Sequence, residues 1–257
     1  MPAPDAHADD GAAPYAVPDA EDTLDLRLSE DYLAFLEEQE DEACAAAADD
    51  RHGTEPDRGG GRTAAAGEDL LDRLADWGPA PTPVGELRLL PVRVECDLPL
   101  IARWMNDPAV AAFWELAGAR SVTERHVRHQ FEGDGRSVPC LGVLDGTPMS
   151  YWEIYRADLH PVARHYPARP HDTGIHLLIG GVADRGRGIG SALLRAVADL
   201  VLARRPSCAR VVADPDLRNT PSVSAFLSAG FRLSAEVDLP DRRAALMLRD
   251  RALRHVL

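Results

Sequence analysis

The sequence contains no lysine: all 28 of its basic residues are arginine. A Walker phosphate loop requires Gly-Lys-Ser/Thr, so nucleotide binding of that kind is excluded. The four cysteines, Cys44, Cys96, Cys140 and Cys208, are scattered without a Cys-x-x-Cys pair. This pattern indicates neither a zinc site nor a disulfide framework, and it is compatible with a reducing cytosol. We expect no bound metal.

Long apolar runs are also missing. No stretch approaches the roughly 18 apolar residues of a membrane-spanning helix. The sequence does not open on a basic segment followed by an apolar one, as a secretory signal does. We therefore expect a cytoplasmic protein with neither a membrane nor a nucleic acid as partner.

Negative charge is concentrated in the first third of the chain. Residues 1–80 carry 22 acidic and 5 basic side chains, a net charge of −17, whereas residues 81–257 have a net charge of +3. Residues 1–22 are rich in Ala, Pro and Asp and poor in large apolar side chains, which is typical of disorder. We predict an acidic, largely disordered extension over residues 1–80 and one folded domain over residues 84–257.

Two segments of the extension have helical patterns, residues 31–38 and residues 69–77, and residues 49–67 between them have the composition of a linker. One interpretation is a solvated tail with transient helices. The alternative is a segment that docks on a partner.

The predicted elements of the domain follow the order β, α, α, then three or four strands, then α, β, α, β, β. This order is typical of an α/β (α+β) domain with a mixed sheet. Alternating or apolar runs predict strands over residues 87–92, 139–144, 150–156, 174–180, 209–213, 231–237 and 243–249, and helical spacing predicts helices over residues 97–106, 122–131 and 221–229 and from residue 188.

A glycine turn, Arg185-Gly186-Arg187-Gly188-Ile189-Gly190, lies between the strand over residues 174–180 and the helix that begins at residue 188. A tight turn into a helix N-terminus presents unpaired backbone N–H groups to an anion, aided by the positive end of the helix dipole. A dinucleotide fingerprint would need glycine where Ser191 stands. The turn therefore predicts a phosphate site of another kind.

Several motifs in one order resemble the GNAT superfamily of N-acyltransferases over residues 84–250. The glycine turn is similar to the pyrophosphate loop of that superfamily. Finer matches resemble the siderophore N-acyltransferases of aerobactin, mycobactin and desferrioxamine assembly, the last type most of all. The matching segments are Asn106–Val110 with Phe113 and Trp114, Tyr151–Arg156, Asp172–Gly180, Asp216–Asn219, and Asn219-x-x-Ser222-x-x-x-Phe226-x-x-x-Gly230-Phe231.

The resemblance implies a GNAT fold, in which a twisted mixed sheet with flanking helices is splayed between two central strands and acyl-CoA lies in the gap. Backbone amides of the glycine turn would hold the pyrophosphate, with added contacts from its arginine side chains. The pantetheine arm would pair with the strand over residues 174–180. The expected acyl-CoA contacts are Leu178, Ile179, Arg185, Gly186, Arg187, Gly188, Ile189, Gly190, Ser191 and Asn219.

The resemblance also implies a catalytic pair, His176 and Asp214. A histidine with a pKa near neutrality accepts the proton that the attacking nitrogen loses, and a carboxylate fixes its tautomer. The alternative is a core histidine that bonds Asp214 for structure alone. Phe226 departs from the superfamily, because many members have a tyrosine there to protonate the leaving thiolate.

The acceptor implied by the family is an N-hydroxylated amine, similar to N-hydroxycadaverine or N6-hydroxylysine, with acetyl-CoA or succinyl-CoA as donor. Acylation gives a hydroxamate, which binds ferric iron. We expect Trp114, Trp152, Glu153 and Tyr155 to line the acceptor pocket, with the carboxylate holding a distal ammonium. Two alternatives stay open: an aminoglycoside or other small-amine N-acetyltransferase, and a non-catalytic CoA-binding module. Other enzymes of a siderophore pathway are candidate partners.

Overall fold

The computed structural model describes residues 71–132 and 135–253. The predicted disorder over residues 1–22, the predicted helix over residues 31–38 and the predicted linker over residues 49–67 lie outside the described residues. Among the described helices, none combines the length and the apolar character that crossing a bilayer requires.

The described part of the chain forms a single eight-stranded sheet with five α-helices and short 3₁₀ segments. The strands are β1 (Ala80–Thr82), β2 (Gly85–Pro91), β3 (Ser137–Leu144), β4 (Thr147–Arg156), β5 (Thr173–Ile179), β6 (Arg210–Ala213), β7 (Arg232–Asp238) and β8 (Arg243–Asp250). The helices are α1 (Val94–Met105), α2 (Pro108–Trp114), α3 (Arg120–Phe131), α4 (Ile189–Arg204) and α5 (Thr220–Ser228).

The sheet has the strand order β1-β2-β3-β4-β5-β6-β8-β7. All neighbours are antiparallel except β5 and β6, which run parallel and pair only at Thr173 with Val211 and at Gly174 with Val212. Beyond these two pairs the strands diverge, and the rest of β5 has no partner on that side among the described residues. The predicted splay between two central strands is confirmed.

Apolar side chains cover both faces of the sheet. On one face Trp152, Ile154 and Ile175 pack in a core with the apolar side of α4 and with Phe226 of α5. On the other face Tyr151 and Leu178 pack against helix α1 and its neighbours. Because side chains alternate along a strand, adjacent residues of β4 and β5 serve opposite cores.

The folded domain begins earlier than predicted. Leu71, Leu74 and Trp77 lie in a 3₁₀ segment and are buried in the main core, and β1 pairs with β2. The predicted start at residue 84 was therefore wrong, and of the helix predicted over residues 69–77 the described part is 3₁₀. A strand of three residues that includes Pro81 has no alternating pattern long enough to predict it.

Helix α2 was not predicted, although its start has a clear signal. The Asp107 side chain accepts a hydrogen bond from the Ala109 backbone N–H and so caps the helix, while Pro108 occupies the first turn. The other predicted strands and helices are found within a few residues of their expected bounds. Helix α2 matters for the site because it ends at Trp114.

Candidate active site

Sheet register brings the polar side chains of Glu153, His176 and Asp214 together on one face. In the pairing of β4 with β5, Glu153 lies opposite His176 and Tyr155 lies opposite Gly174. Gly174 is also level with Val212 of β6, so that His176 and Asp214, each two residues further along, point from the same face. The His176 Nε2 atom lies 3.1 Å from Oδ1 of Asp214.

His176 is held between two carboxylates. Its Nδ1 atom lies 2.9 Å from Oε2 of Glu153, and its Nε2 atom faces Asp214. Burial disfavours the charged imidazole, but the hydrogen bonds to Asp214 and Glu153 and their negative charges outweigh it and raise the pKa of His176 to about 10. Both ring nitrogens are therefore protonated at neutral pH. This differs from the expected histidine with a pKa near 7.

Asp214 is almost completely buried and is bound from three sides. Besides His176, Oδ1 accepts a hydrogen bond of 3.0 Å from the Tyr155 hydroxyl, and Oδ2 accepts one of 2.7 Å from Arg242. Burial alone would raise the pKa of Asp214, but the imidazolium and the guanidinium hold it well below its usual range. Asp214 is therefore an anion shared between two cations.

Glu153 is saturated by hydrogen bonds. Its Oε1 atom lies 2.6 Å from His126 Nε2 and accepts from Gln130 Nε2 at 2.6 Å and from the Tyr151 hydroxyl at 3.2 Å, while Oε2 faces His176. The pKa of Glu153 is lowered despite its burial, since His126 and His176 stabilise the anion. The expectation that this carboxylate holds a distal ammonium stays a prediction, although its oxygens already bind these four side chains.

The aromatic residues expected in the acceptor pocket separate into two groups. The Trp114 ring packs edge-on against Tyr151 and His176, with centroids 5.6 and 6.3 Å away. Trp152 is wrong as a pocket residue: it is fully buried in the opposite core and donates its indole N–H to Ser150. It follows Tyr151 directly in β4, and adjacent residues of a strand cannot share a face.

Tyr155 belongs to the polar network, not only to an aromatic wall. Its ring lies across β5 at Gly174, where any Cβ atom would overlap it. Burial, followed by the nearby Asp214 charge, raises the pKa of Tyr155 well above its usual value. The phenol therefore stays protonated and serves as a hydrogen-bond donor to Asp214.

A groove with a volume of about 590 Å³ runs from the glycine turn to the splayed strands, and we call it the donor groove. It adjoins a central cavity of about 210 Å³, which is lined by His176, Glu153, Asp214 and Arg242. The residues that line both are Phe113, Trp114, Leu177, Asn219, Ser222 and Phe226.

A third space of about 530 Å³, which we call the acceptor cavity, adjoins the central cavity on the other side. His126, Glu153 and His176 line both. Tyr155, His160 and Leu159 form part of the rest of its wall. The three spaces therefore follow one another, with His176 and Asp214 in the middle.

The glycine turn has the backbone geometry of an anion site. Gly186 and Gly188 have φ angles of +71° and +78°, in the left-handed region that glycine tolerates at little cost. A Cβ at either position would meet no other atom within 4 Å, so backbone conformation and not crowding requires glycine. Gly188 is the N-cap of α4, whose first turn includes Ile189, Gly190 and Ser191.

The side chain of Arg185 is hydrogen-bonded within the protein, and its expected role at the pyrophosphate stays a prediction. Its guanidinium donates to the carbonyl oxygens of Ile179 and Gly180 and to Oδ1 of Asp107, at 3.0, 2.7 and 3.0 Å. It therefore fastens the turn to the end of β5 and to the cap of α2. Arg187 donates to the Ala183 carbonyl oxygen at 3.4 Å.

The remaining expected acyl-CoA contacts lie along the donor groove. Leu178 and Ile179 line it from β5, and Asn219 lines it from the start of α5. Asn219 caps that helix by accepting from the Ser222 N–H at 3.2 Å. Phe226 is buried, packs edge-on against Phe231 and offers no proton at the position where many relatives of the superfamily have tyrosine.

Residues 93–239, more than half of the chain, match the acetyltransferase (GNAT) domain family. The chain belongs to the GNAT acyltransferase family. It is 38% identical over 154 residues to the lysine N-acyltransferase MbtK of Mycolicibacterium paratuberculosis, a match that covers 60% of this chain and 69% of the relative. It is 33% identical over 183 residues to the N(6)-hydroxylysine O-acetyltransferase of Escherichia coli, which covers 66% and 58%.

The fold also matches a solved structure. An uncharacterized protein from Bacillus halodurans superimposes with a TM-score of 0.65 at 30% identity, over 70% of this chain and 92% of that protein. In the described part of this GNAT chain, no group of three or more His, Cys, Asp or Glu side chains is arranged to hold a metal ion.

Three residues of the GNAT site were not predicted from sequence: Arg242, His126 and Gln130. Arg242 lies in the turn between β7 and β8, 28 residues after the aspartate it binds, and no local pattern marks it. His126 and Gln130 are four residues apart on α3 and so share a helix face. That spacing was a signal, but the sequence alone does not show that Glu153 faces it.

Replacing Gly188 by alanine is expected to raise the KM for acetyl-CoA about tenfold and to change kcat little. Alanine in the left-handed conformation costs about 1–2 kcal/mol. The turn can relieve this cost by leaving the conformation that presents its N–H groups to the phosphate. Each 1.4 kcal/mol lost in this way lowers the affinity tenfold. Gly146→Ala is the matched control, since Gly146 has a φ of +83° and open space around its Cβ position but lies in the β3–β4 turn. Steady-state kinetics that give both variants the same KM would contradict the assignment.

Proposed function

We propose that this protein transfers an acyl group from acyl-CoA to the nitrogen of an N-hydroxylated amine and so forms a hydroxamate in siderophore biosynthesis. The observation that carries the proposal is that both ring nitrogens of His176 contact carboxylates, Nδ1 that of Glu153 and Nε2 that of Asp214. A histidine bound in this way has no free lone pair with which to deprotonate an ammonium. The acceptor therefore has to arrive neutral.

The choice of acceptor follows from basicity. An alkyl hydroxylamine is much less basic than an alkyl amine and is neutral near pH 7, whereas an alkyl amine is an ammonium ion there. Two relatives of this chain have names that refer to lysine N-acylation and to N(6)-hydroxylysine. Their names and the state of His176 support the same class of acceptor.

The donor groove suits acyl-CoA as the co-substrate. The backbone N–H groups of Arg187 to Ser191 would hold the pyrophosphate at the positive end of α4. The amides of the pantetheine arm would pair with the open edge of β5 beyond Gly174, as an additional strand does. The acyl group would then lie beside Leu178 and Ile179, and Asn219 would contact the arm from the other side of the groove.

The reaction needs stabilisation of an oxyanion. Once the acceptor nitrogen attacks the thioester carbon, negative charge develops on the carbonyl oxygen. A backbone N–H of Leu178 or Ile179 would donate to it, which is worth roughly 3 kcal/mol per donor. His176 and Asp214 would lie next to the reacting atoms in the central cavity.

The acceptor would enter from the acceptor cavity, with its methylene chain along Trp114 and Tyr155. The hydroxamate product has two oxygens that form a hard bidentate ligand for ferric iron. Acetyl-CoA and succinyl-CoA are the donors that we propose, and N-hydroxycadaverine and N6-hydroxylysine are the acceptors. We further propose that the enzyme works in the cytoplasm beside other enzymes of the same pathway.

A direct test incubates the full chain with acetyl-CoA or succinyl-CoA and a panel of acceptors. We expect N-hydroxycadaverine or N6-hydroxylysine to give release of free thiol and a hydroxamate detected by its ferric colour. Cadaverine and lysine are the matched controls, since they differ only in the N-hydroxyl group, and their turnover is expected to be at least 100-fold slower at pH 7.5, because protonation leaves a small neutral fraction.

Two outcomes would contradict the proposed function. Turnover of kanamycin without turnover of any hydroxylamine would assign the protein to the aminoglycoside N-acetyltransferases. Tight binding of acetyl-CoA in calorimetry with no turnover of any acceptor would indicate a CoA-binding module without catalysis.

A further inference from the structure

His176 and its neighbours form a group of four charges that sums to zero, in which the two carboxylates are buried and the two cations are about a quarter exposed. Arg242 also pairs with the exposed Asp241. Glu153 and Asp214 are the anions, and His176 and Arg242 are the cations. Buried ions are tolerated when they are paired and hydrogen-bonded. A neutral His176 would leave this group with a net negative charge and would remove the donor from one of its two carboxylate bonds.

We propose that His176 is an imidazolium in the resting enzyme and gives its Nε2 proton to the departing thiolate, acting first as an acid. This inference rests on the proposed function and deepens it. It reverses the order expected from sequence, in which His176 first accepts a proton from the acceptor nitrogen.

The lining of the central cavity gives an independent reason for such an acid. Phe226 lines the donor groove and the central cavity and has no proton to give. Among the other ionisable groups that line the central cavity, Glu153, Asp214 and Asp216 are anions, and Arg242 is held by Asp214 and Asp241. The two histidines, His176 and His126, are the groups that remain.

The two N–H groups of His176 are not equivalent. Nδ1 bonds Glu153 at 2.9 Å, and this carboxylate is itself fixed by several other donors. Nε2 has longer contacts, 3.1 Å to Asp214 and 3.2 Å to the Tyr155 hydroxyl oxygen. Asp214 also accepts from Tyr155 and Arg242, so that the Nε2 proton is the less tightly held of the two.

Charged and titratable groups from several elements lie around the His176 ring. Glu153 and Tyr155 face it from β4, Asp214 from the end of β6 and Arg242 from the β7–β8 turn. The His160 ring packs against Tyr155, and burial, followed by electrostatic repulsion from His176, lowers its pKa. His126 lies beyond Glu153 on α3.

The proton and electron balance of the step is complete. The acceptor nitrogen forms a bond to the thioester carbon, which gives a tetrahedral species with an oxyanion and a protonated nitrogen. As the carbonyl re-forms, the C–S bond breaks, sulfur keeps the electron pair, and His176 Nε2 gives it a proton. The neutral Nε2 then takes the proton from the acylated nitrogen, and the imidazolium is restored.

The first test needs no substrate. Nitrogen-15 NMR of the full chain at pH 7.5 is expected to show both ring nitrogens of His176 protonated, with assignment by loss of the signals in His176→Gln. His129, whose side chain is 86% exposed, is the internal control. A neutral His176 in the wild type would overturn the inference whichever acceptor the enzyme uses.

The second test gives the direction of proton transfer. Glu153→Gln removes one carboxylate and is expected to bring the deprotonation of His176 below pH 9, where kcat is measured with any acceptor that the wild type uses. A proton donor predicts that kcat falls about tenfold per pH unit above the pKa found by NMR. A proton acceptor predicts that kcat rises there, and that result would overturn the inference.

Two further variants serve as a replacement and as a control in this test. Asp214→Asn removes the other carboxylate and replaces Glu153→Gln if that variant does not fold. His126→Gln separates the two histidines: the alkaline fall is expected to persist in Glu153→Gln/His126→Gln, and its loss would assign the donor to His126 instead. Failure of the acceptor panel would leave the NMR result unchanged, so the two proposals fail separately.

Discussion

Replacing His176 by glutamine is expected to lower kcat by about 10²–10⁴-fold, the usual contribution of a positioned acid or base. Glutamine keeps an amide that can donate one hydrogen bond to a carboxylate, but it has neither the positive charge nor a transferable proton. The KM for acetyl-CoA is expected to change little, because the donor groove is lined by other residues. Thiol release at saturating acceptor measures both constants.

His165→Gln is the matched control for this variant. It makes the same substitution on an exposed side chain that lines none of the three spaces, and we expect wild-type kcat. Near-wild-type activity of His176→Gln, with the fold intact by circular dichroism, would leave His176 with a structural role alone.

Replacing Asp214 by alanine is expected to lower the free energy of unfolding by about 3–5 kcal/mol. Removing one partner of a buried ion pair is strongly destabilising. Here two cations, His176 and Arg242, lose the same anion and keep only Glu153 and the exposed Asp241 as partners. Urea denaturation followed by circular dichroism measures the loss. Asp250→Ala is the control, because Asp250 pairs with the half-exposed Arg232 and such surface pairs are worth about 0–1 kcal/mol.

The size of this loss is expected to depend on pH. The pKa of His176 is raised in the folded state to about 10, so its contribution to stability is full below about pH 6.5, the unfolded value, and is lost as pH rises through about 10. The pKa of Asp214 is lowered, so its contribution is full above about pH 4 and is lost on further acidification. The free energies of unfolding of the wild type and Asp214→Ala are therefore expected to differ most between about pH 4 and about pH 6.5.

A double-mutant cycle separates the ion pair from simple loss of packing. Asp214→Ala/Arg242→Gln removes both members of this pair, and its loss of stability is expected to be smaller than the sum of the two single losses. Losses that merely add would show that Arg242 and Asp214 do not interact energetically.

Alternation along strands predicted part of the site. His176 and Leu178 are two residues apart in a clearly apolar strand, and the structure places both side chains on one face. The structure also brings His176 and Asp214 together, while their catalytic role stays a prediction. The same rule excludes Trp152, because Tyr151 and Glu153 on either side of it face the site. The expectation included the adjacent residues Trp152 and Glu153, although a strand presents only every second side chain to one face.

Other contacts of the site join distant segments. Glu153 binds His126 and Gln130 of α3 and His176 of β5, and its cross-strand register with His176 is a property of the fold. Arg185 binds Asp107, which is 78 residues earlier. The roles expected for Glu153 and Arg185 at the substrates stay predictions. A motif gives the type of a residue and its place in an element, whereas hydrogen-bond partners depend on packing.

The open stretch of β5 beyond Gly174 is an unpaired sheet edge in the middle of the molecule. Edges of this kind ordinarily pair with strands of other chains and promote aggregation. Here Leu194 of α4 and Ala225 and Phe226 of α5 line the gap, so an incoming strand would have to push two packed helices aside. The free backbone groups of β5 would therefore be open to a molecule narrower than a protein strand, while a second copy of the chain would be kept from pairing with this edge.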